Sequence, residues 1–394
     1  MLSERMKGFL AGSSVIREMF EEGARLKEKY GDDKVFDFSI GNPNLPAPKE
    51  VGETIIDLVK TEDPVKLHGY MANQGHEDVR QVIAEGLNKK YGTSYKAENL
   101  IMVTGAAAGL NISLMSILNP GDEVIVISPY FMEYKNYVEN YQGRLVEVPA
   151  KKDDFNLDLE AIDRAINEKT KAIIINNPNN PTGVVYSKKD LKDLADLLRS
   201  KEKELGTSIF LISDEPYRDL VYDGEKVDFL ARIYDKTIIV YSYSKSLSLP
   251  GERIGYVLYD GPEEEDLIQV MTVANRINGF VNAPSLFQKV IGTCQDLETD
   301  VNFYDKNRKI LYQGLKDLGY EMVYPEGAFY IFLKSPIDSD IDFAQMAKDF
   351  NILMVPGSTF KAPGYLRLAY CVSEKNIRDS LPAFEKLMER TRAQ

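Results

Sequence analysis

Short, nearly continuous hydrophobic runs alternate with longer amphipathic stretches from about residue 34 to 260. The runs are Ile101–Val103, Val124–Ile127, Ala172–Ile175, Ile209–Ile212, Thr237–Tyr241 and Gly255–Leu258. They lack the in/out alternation of a half-exposed strand, so they predict strands buried on both faces. Between them, Leu191, Leu194 and Leu198 fall at i, i+3 and i+7, on one face of a helix. Strand, helix, strand in repetition predicts an open α/β sheet with helices on both sides.

Turn-forming segments stand at the carboxyl ends of these runs: Thr104-Gly-Ala-Ala-Ala108, Ser128-Pro-Tyr-Phe131, Asn176-Asn-Pro-Asn-Asn-Pro-Thr-Gly183 and Ser213-Asp-Glu-Pro-Tyr217. Ligands of open α/β sheets bind there. After about residue 285 the pattern changes. One long helical stretch, about 284–317, leads into Ala328–Leu333, Leu353–Val355 and Tyr365–Tyr370, followed by a closing helix. That predicts a smaller α+β domain, joined by the N-terminal segment. No internal repeat or low-complexity tract interrupts the chain.

Composition narrows the chemistry. The 394 residues suffice for two or three domains of roughly 100–200 residues each. With 44% hydrophobic and 28% charged residues, wholesale disorder is excluded. The only histidines are His68 and His76, the only cysteines Cys294 and Cys371, and there is no tryptophan. A Cys/His zinc site would consume nearly that whole stock at unhelpful spacings, so no metal is expected. A histidine-based triad would rest on one of two residues eight positions apart.

The net charge of −13 argues against nucleic acid or an anionic membrane as a general partner, without excluding a local cationic pocket. Two cysteines far apart form no disulfide framework, which fits a cytoplasmic location. The first twenty residues lack a signal-peptide core, and no run of 18 apolar residues is long enough to span a membrane. Asn111-Ile-Ser113 matches a glycosylation acceptor, but without a secretion signal it is read as coincidence.

The most informative segment is Tyr241-Ser-Tyr-Ser-Lys245-Ser-Leu-Ser-Leu-Pro-Gly-Glu-Arg253. A lysine that forms a Schiff base must be desolvated or near another cation, because its ordinary pKa of about 10.4 leaves it protonated. Alone, Lys245 reads first as a surface charge after a strand. Ser242, Ser244 and Arg253 add hydroxyls and a charged fork suited to a phosphate. Asp214 ends another apolar run, with Tyr217 three residues on. A carboxylate at a buried strand end is costly unless it meets a cation, and a protonated pyridine nitrogen is one.

Over essentially the whole chain, and in this order, the sequence resembles the fold-type I pyridoxal-phosphate enzymes. The specific resemblance is to the class I/II aminotransferases, which include aspartate aminotransferase. It implies an α/β fold with a large cofactor-binding domain, residues 46–285, built on a mostly parallel central sheet. A smaller α+β domain, residues 1–45 and 286–394, would carry an N-terminal arm. The cofactor would be pyridoxal 5'-phosphate, held by Lys245 as an internal aldimine, with Lys245 then serving as acid and base. Asp214 would keep the pyridine nitrogen protonated. Asn180 and Tyr217 would bond the ring hydroxyl. Backbone amides of Ala106, Ala107 and Ala108 would meet the phosphate at a helix N-terminus, helped by Ser242, Ser244 and Arg253.

The same resemblance places Phe131 on the ring face, where a tryptophan often stands, with Tyr130 beside it as the competing aromatic. Arg367, mid-strand in Tyr365-Leu-Arg-Leu-Ala-Tyr370, would grip the substrate α-carboxylate with Asn180; Gly41 would let backbone approach that carboxylate. Tyr70 would reach the phosphate of a neighbouring subunit in a homodimer, and Arg276 lies near where some relatives read a distal carboxylate. His68 and His76 are expected to be non-catalytic. The expected reaction is transamination between an L-amino acid, aspartate first, and a 2-oxo acid such as 2-oxoglutarate. Aromatic amino acids or alanine are alternative substrates. A carbon–sulfur β-lyase of the same fold is the rival chemistry, and a cofactor-binding sensor without catalysis is the rival class.

Overall fold

A computed structural model describes residues 2–12, 14–261 and 266–393 of the chain. Phe36 and Asp37 form a short first strand, β1. The buried runs then supply β2 (Leu100–Val103), β3 (Glu123–Ser128), β5 (Thr170–Asn176), β6 (Phe210–Asp214), β7 (Thr237–Ser242) and β8 (Gly255–Leu258). They join β4 (Arg144–Pro149) in a seven-stranded sheet of order β2-β8-β7-β6-β5-β3-β4. Every neighbouring pair is parallel except those made by β8, which runs antiparallel to both β2 and β7.

Continuous hydrophobicity follows from two buried faces. Val124 and Val126 pack with Ile174, Ile212 and Val240 beneath the helices Ala106–Ile117 and Leu267–Ile277. Ile125 and Ile127 join Ile173, Leu211 and Ile239 on the other face, against Ile83, Leu87, Leu194 and Leu198. Leu194 and Leu198 sit on the helix Lys188–Leu205 and are fully buried. Burial of each contributes about 1.5–3 kcal/mol. Ser187 caps this helix through Asp190, and Gly206 ends it in the left-handed conformation.

The edge strand β4 was not expected from the hydrophobic runs. Its only fully buried side chain is Val148, and Arg144 and Glu147 face outward, so it carries little of the apolar signal. The single helical stretch expected over 284–317 is two helices, Ser285–Cys294 and Val301–Asp317. Asp300 restarts the second by accepting a hydrogen bond from the amide of Asn302. The residues on which the expected domain boundary falls also pack on the large sheet: Val290, Ile291 and Cys294 lie in the core with Ile83 and Leu87, so that core continues past residue 285.

The remaining strands are β9 (Tyr330–Lys334), β10 (Ile352–Leu353), β11 (Val355–Pro356) and β12 (Tyr365–Ala369). Leu353–Val355, expected as one strand, divides at Met354 between two sheets. β10 pairs parallel with β1, whereas β11 joins an antiparallel sheet of order β11-β12-β9. The segment after β1 is fastened to this smaller unit: the Phe38 amide donates to Leu353 O, and the Ala369 amide donates to Phe38 O. The helices Val301–Asp317 and Glu374–Arg392 pack on each other beside it. Among the described residues, no helix is long and apolar enough to cross a membrane.

Candidate active site

At the carboxyl edge of the large sheet a cleft of about 320 Å3 is lined from both units. β5 ends at Asn176, β6 at Asp214 and β7 at Ser242, and the helix after β2 begins at Ala106. Because β8 is antiparallel, the chain entering it also starts at this edge and delivers Arg253. Ser39, Gly41, Tyr330 and Arg367 close the cleft from the smaller unit. Twelve of the fourteen residues expected at the site line this cleft, and Ala108 and Tyr70 do not.

Lys245 lies on a single helical turn, Tyr243–Ser246, capped by Ser242, whose hydroxyl accepts from the Ser244 amide. Its Nζ donates to Gly41 O at 2.8 Å. Burial, reinforced by the Arg367 and Arg253 charges, lowers its pKa from the ordinary value to about 8, although the nearby Cys371 thiol opposes that shift. About a tenth of the amine is therefore neutral at about pH 7, far more than for an exposed lysine, as nucleophilic or basic chemistry requires.

Asp214 is buried, and its Oδ2 accepts a hydrogen bond from Tyr134 at 2.5 Å. Its Oδ1 has no partner. Burial raises this carboxyl to about 7; Tyr134 pulls it down and Glu215 pushes it further up. Asn176 ties the end of β5 to that of β6 by donating to Asp214 O at 2.9 Å. The same side chain accepts from the Asn180 amide at 2.7 Å, fixing the Asn-Asn-Pro turn over the cleft.

Arg367 is buried on β12. It donates to Asn180 Oδ1 at 3.0 Å and Ser39 O at 2.8 Å, leaving Nε unpartnered. Its guanidinium also lies over the rings of Tyr330 (4.6 Å) and Phe360 (4.8 Å). Among the described residues, its hydrogen-bond partners include no carboxylate, an expensive arrangement unless an anion arrives. Tyr217 and Tyr330 face each other with their hydroxyls 2.9 Å apart, and burial holds the Tyr217 phenol far above its ordinary pKa.

Opposite Lys245, Gly105 precedes the helix Ala106–Ile117 at φ +79°, where a Cβ would come within 2.7 Å of Arg253 Nη2. The first amides of that helix have no intrahelical acceptor. Ala106 and Ala107 line the cleft, while the Ala108 side chain packs into the sheet core. The Ser242 and Ser244 hydroxyls lie 2.7 Å apart. Arg253, itself left-handed at φ +54°, is held by a bond from Nη1 to Pro250 O. Hydroxyls, helix amides and a guanidinium converge as a phosphate requires. The unpartnered Asp214 Oδ1 and the amine of Lys245 match a protonated pyridine and an aldehyde. These residues fit pyridoxal phosphate.

Phe131 lines the cleft, edge-on to Tyr134 at 5.6 Å, whereas the competing Tyr130 is buried with its hydroxyl on Glu147. Tyr70, like the Ala108 side chain, does not line the cleft, and it is 99% exposed. Arg276 is exposed at the end of its helix, and His76 bonds Ser285 away from the cleft. Sequence reasoning missed Tyr134, Asn176 and Tyr330. Tyr134 had one available signal, its position one helical turn beyond Phe131.

Fold and cleft together define a fold-type I pyridoxal-phosphate enzyme. The sequence profile of the family described as aminotransferase class I and II matches residues 33–384, and the chain belongs to that family. It is an aminotransferase, dependent on pyridoxal phosphate. A solved amino transferase from Eubacterium rectale is 47% identical, covers 99% of both chains and superposes with a TM-score of 0.96. The aspartate aminotransferase of Thermus thermophilus, solved with maleate, is 29% identical over 98% of this chain and 99% of its own, with a TM-score of 0.88. A probable aspartate/prephenate aminotransferase of Aquifex aeolicus is 33% identical over 90% of this chain and 91% of its own.

Proposed function

We propose that the chain transfers the amino group of an L-amino acid, aspartate first, to a 2-oxo acid such as 2-oxoglutarate. The observation that carries this reading is the gathering in one cleft of the Lys245 amine, the unpartnered Asp214 oxygen and the Arg367 guanidinium. In this reading Lys245 Nζ bonds the cofactor aldehyde, Asp214 faces the ring nitrogen and Phe131 the ring face. Asn180 and Tyr217 serve the ring hydroxyl; Ala106, Ala107, Ala108, Ser242, Ser244 and Arg253 hold the phosphate. Bound pyridoxal phosphate supplies an electron sink for charge developing at the substrate α-carbon.

The chain's own residues do the rest. Arg367 and Asn180 orient the α-carboxylate, with the backbone at Gly41 close beside it. Once the substrate amine has taken its place, Lys245 Nζ would take the α-proton and deliver it to the cofactor's former aldehyde carbon, after which water would release the oxo acid. Aspartate is placed first because the Aquifex and Thermus relatives carry that name. One observation favours a neutral substrate such as alanine or an aromatic amino acid: the cations lining the cleft are Lys245, Arg253 and Arg367, each already given a task. A distal carboxylate would need a cation from elsewhere, and Arg276 of a neighbouring subunit is the candidate.

A homodimer in the cytoplasm belongs to the same proposal. Tyr70 is fully exposed, and Ile56, Val59 and Val65 a few positions earlier in the chain are exposed too, in keeping with a residue serving a neighbouring cleft. Both cysteines are free and buried, in keeping with a reducing compartment.

The test is a half-reaction. Glutamate added to the loaded protein without an oxo acid should discharge the visible absorbance stoichiometrically, and a panel of amino acids then ranks the donors. Continuous release of ammonia and pyruvate from cystathionine would identify the β-lyase instead. Wild-type turnover by Lys245→Ala would overturn the assignment, and a monomer on sedimentation would remove the role of Tyr70.

A further inference from the structure

Tyr330 stands where three parts of the cleft meet. It is 2% exposed, on β9, beside Arg367 in the antiparallel sheet. Its hydroxyl lies 2.9 Å from that of Tyr217. Its ring lies under the Arg367 guanidinium, 4.6 Å from centroid to Cζ. Its hydroxyl also fills the space a side chain at Gly41 would need: a Cβ there would come within 2.1 Å of it. One side chain thus touches the tyrosine on the cofactor side, the arginine on the substrate side and the backbone that receives Lys245 Nζ.

We infer that Tyr330 is a positioning residue with two separable tasks: its ring orients Arg367 for the substrate carboxylate, and its hydroxyl sets Tyr217. The inference rests on the roles proposed for Lys245, Tyr217 and Arg367. Arg367 is buried, and its Nε makes no hydrogen bond, so its plane is held by two bonds from its Nη atoms and by aromatic faces. A cation held over a desolvated ring gains both energy and orientation. The hydroxyl task follows from donor counting. Either hydroxyl of the pair can donate to the other, but if Tyr217 gives its own proton to the cleft, Tyr330 Oη must be the donor between them. A phenol that accepts one hydrogen bond donates its own proton more strongly. Tyr217 so placed stabilises a deprotonated ring hydroxyl on the cofactor.

The two tasks predict different signatures. Tyr330→Phe keeps the ring and removes the hydroxyl. The pH midpoint of the bound cofactor's visible absorbance should rise by about half to one unit, the worth of one lost hydrogen bond. KM for the amino donor should stay within about twofold, because the ring still faces Arg367. Tyr330→Leu removes both, and should add a KM rise of about 3- to 30-fold for every amino acid tested. Equal KM values for the Phe and Leu variants would overturn the ring's task; an unshifted absorbance midpoint in Tyr330→Phe would overturn the hydroxyl's. Failure of the underlying assignment looks different: wild-type protein would then show no pH-dependent visible absorbance, or Lys245→Ala would retain it.

Discussion

Tyr134 Oη lies 2.5 Å from Asp214 Oδ2, while Oδ1 of the same carboxylate is buried without a partner. One oxygen is anchored and the other is held in readiness for a cation. This half-satisfied group stays in place because the ends of β5 and β6 are tied together through Asn176. Half-satisfaction costs stability until a partner arrives.

That cost should be measurable. Asp214 is raised from 3.8 to about 7 in the folded protein, so without cofactor the folded state holds a proton that the unfolded chain releases at lower pH. Stability therefore falls as pH climbs from about 4 to about 7 and levels off above, by at most about 4 kcal/mol. Asp214→Asn removes this loss. Thermal unfolding of the cofactor-free variant should occur above wild type at about pH 8, with the gap closing towards about pH 4. Cofactor affinity should fall in the same variant. A variant less stable than wild type at about pH 8 would contradict the account.

Lys245 has the opposite charge logic. Its amine titrates near 8, so the nucleophilic form accumulates as pH rises through that value. The rate at which cofactor-free protein captures pyridoxal phosphate should increase about tenfold per pH unit below 8, then flatten. Stopped-flow absorbance at fixed cofactor concentration measures it. A break displaced to about 10 would mean that burial does not depress this amine.

Gly105 stands at the proposed phosphate end. Adding a methyl group there conflicts with φ +79° and with Arg253 Nη2 at 2.7 Å. Arg253 is the flexible member of that pair and would be displaced. Gly105→Ala should weaken cofactor binding about tenfold or more, a cost comparable to other overpacking substitutions. At saturating cofactor the turnover number should change little. Fluorescence titration of the cofactor-free variant separates the two, and unchanged affinity would remove Arg253 from the phosphate site.

Much of this was legible because strands buried on two faces announce themselves as unbroken apolar runs, and their chemistry stands where those runs stop. Lys245, Asp214 and Asn180 all lie in such terminal segments. β4 escaped notice because an edge strand with exposed charges resembles a loop. The break before Val301 rests on one capping aspartate inside a helical pattern. Tyr134 and Tyr330 were hidden for a different reason. Their partners lie 80 and 113 positions away, and a tyrosine among apolar neighbours reads as core until the fold brings those partners close. Tyr70 was read from the family resemblance, and in the homodimer proposed above the group it would serve belongs to another subunit.

Residues 242–253 carry Lys245 and Arg253 within one loop between β7 and β8, whereas Gly41 and Arg367 are fastened to the smaller unit. The amine and one of the cations near it are therefore set by a single short segment of the large sheet, while the arginine proposed to grip the α-carboxylate stands on the smaller unit. The bond from Lys245 Nζ to Gly41 O is the stitch between the two, so any shift of one unit against the other is felt first at the amine.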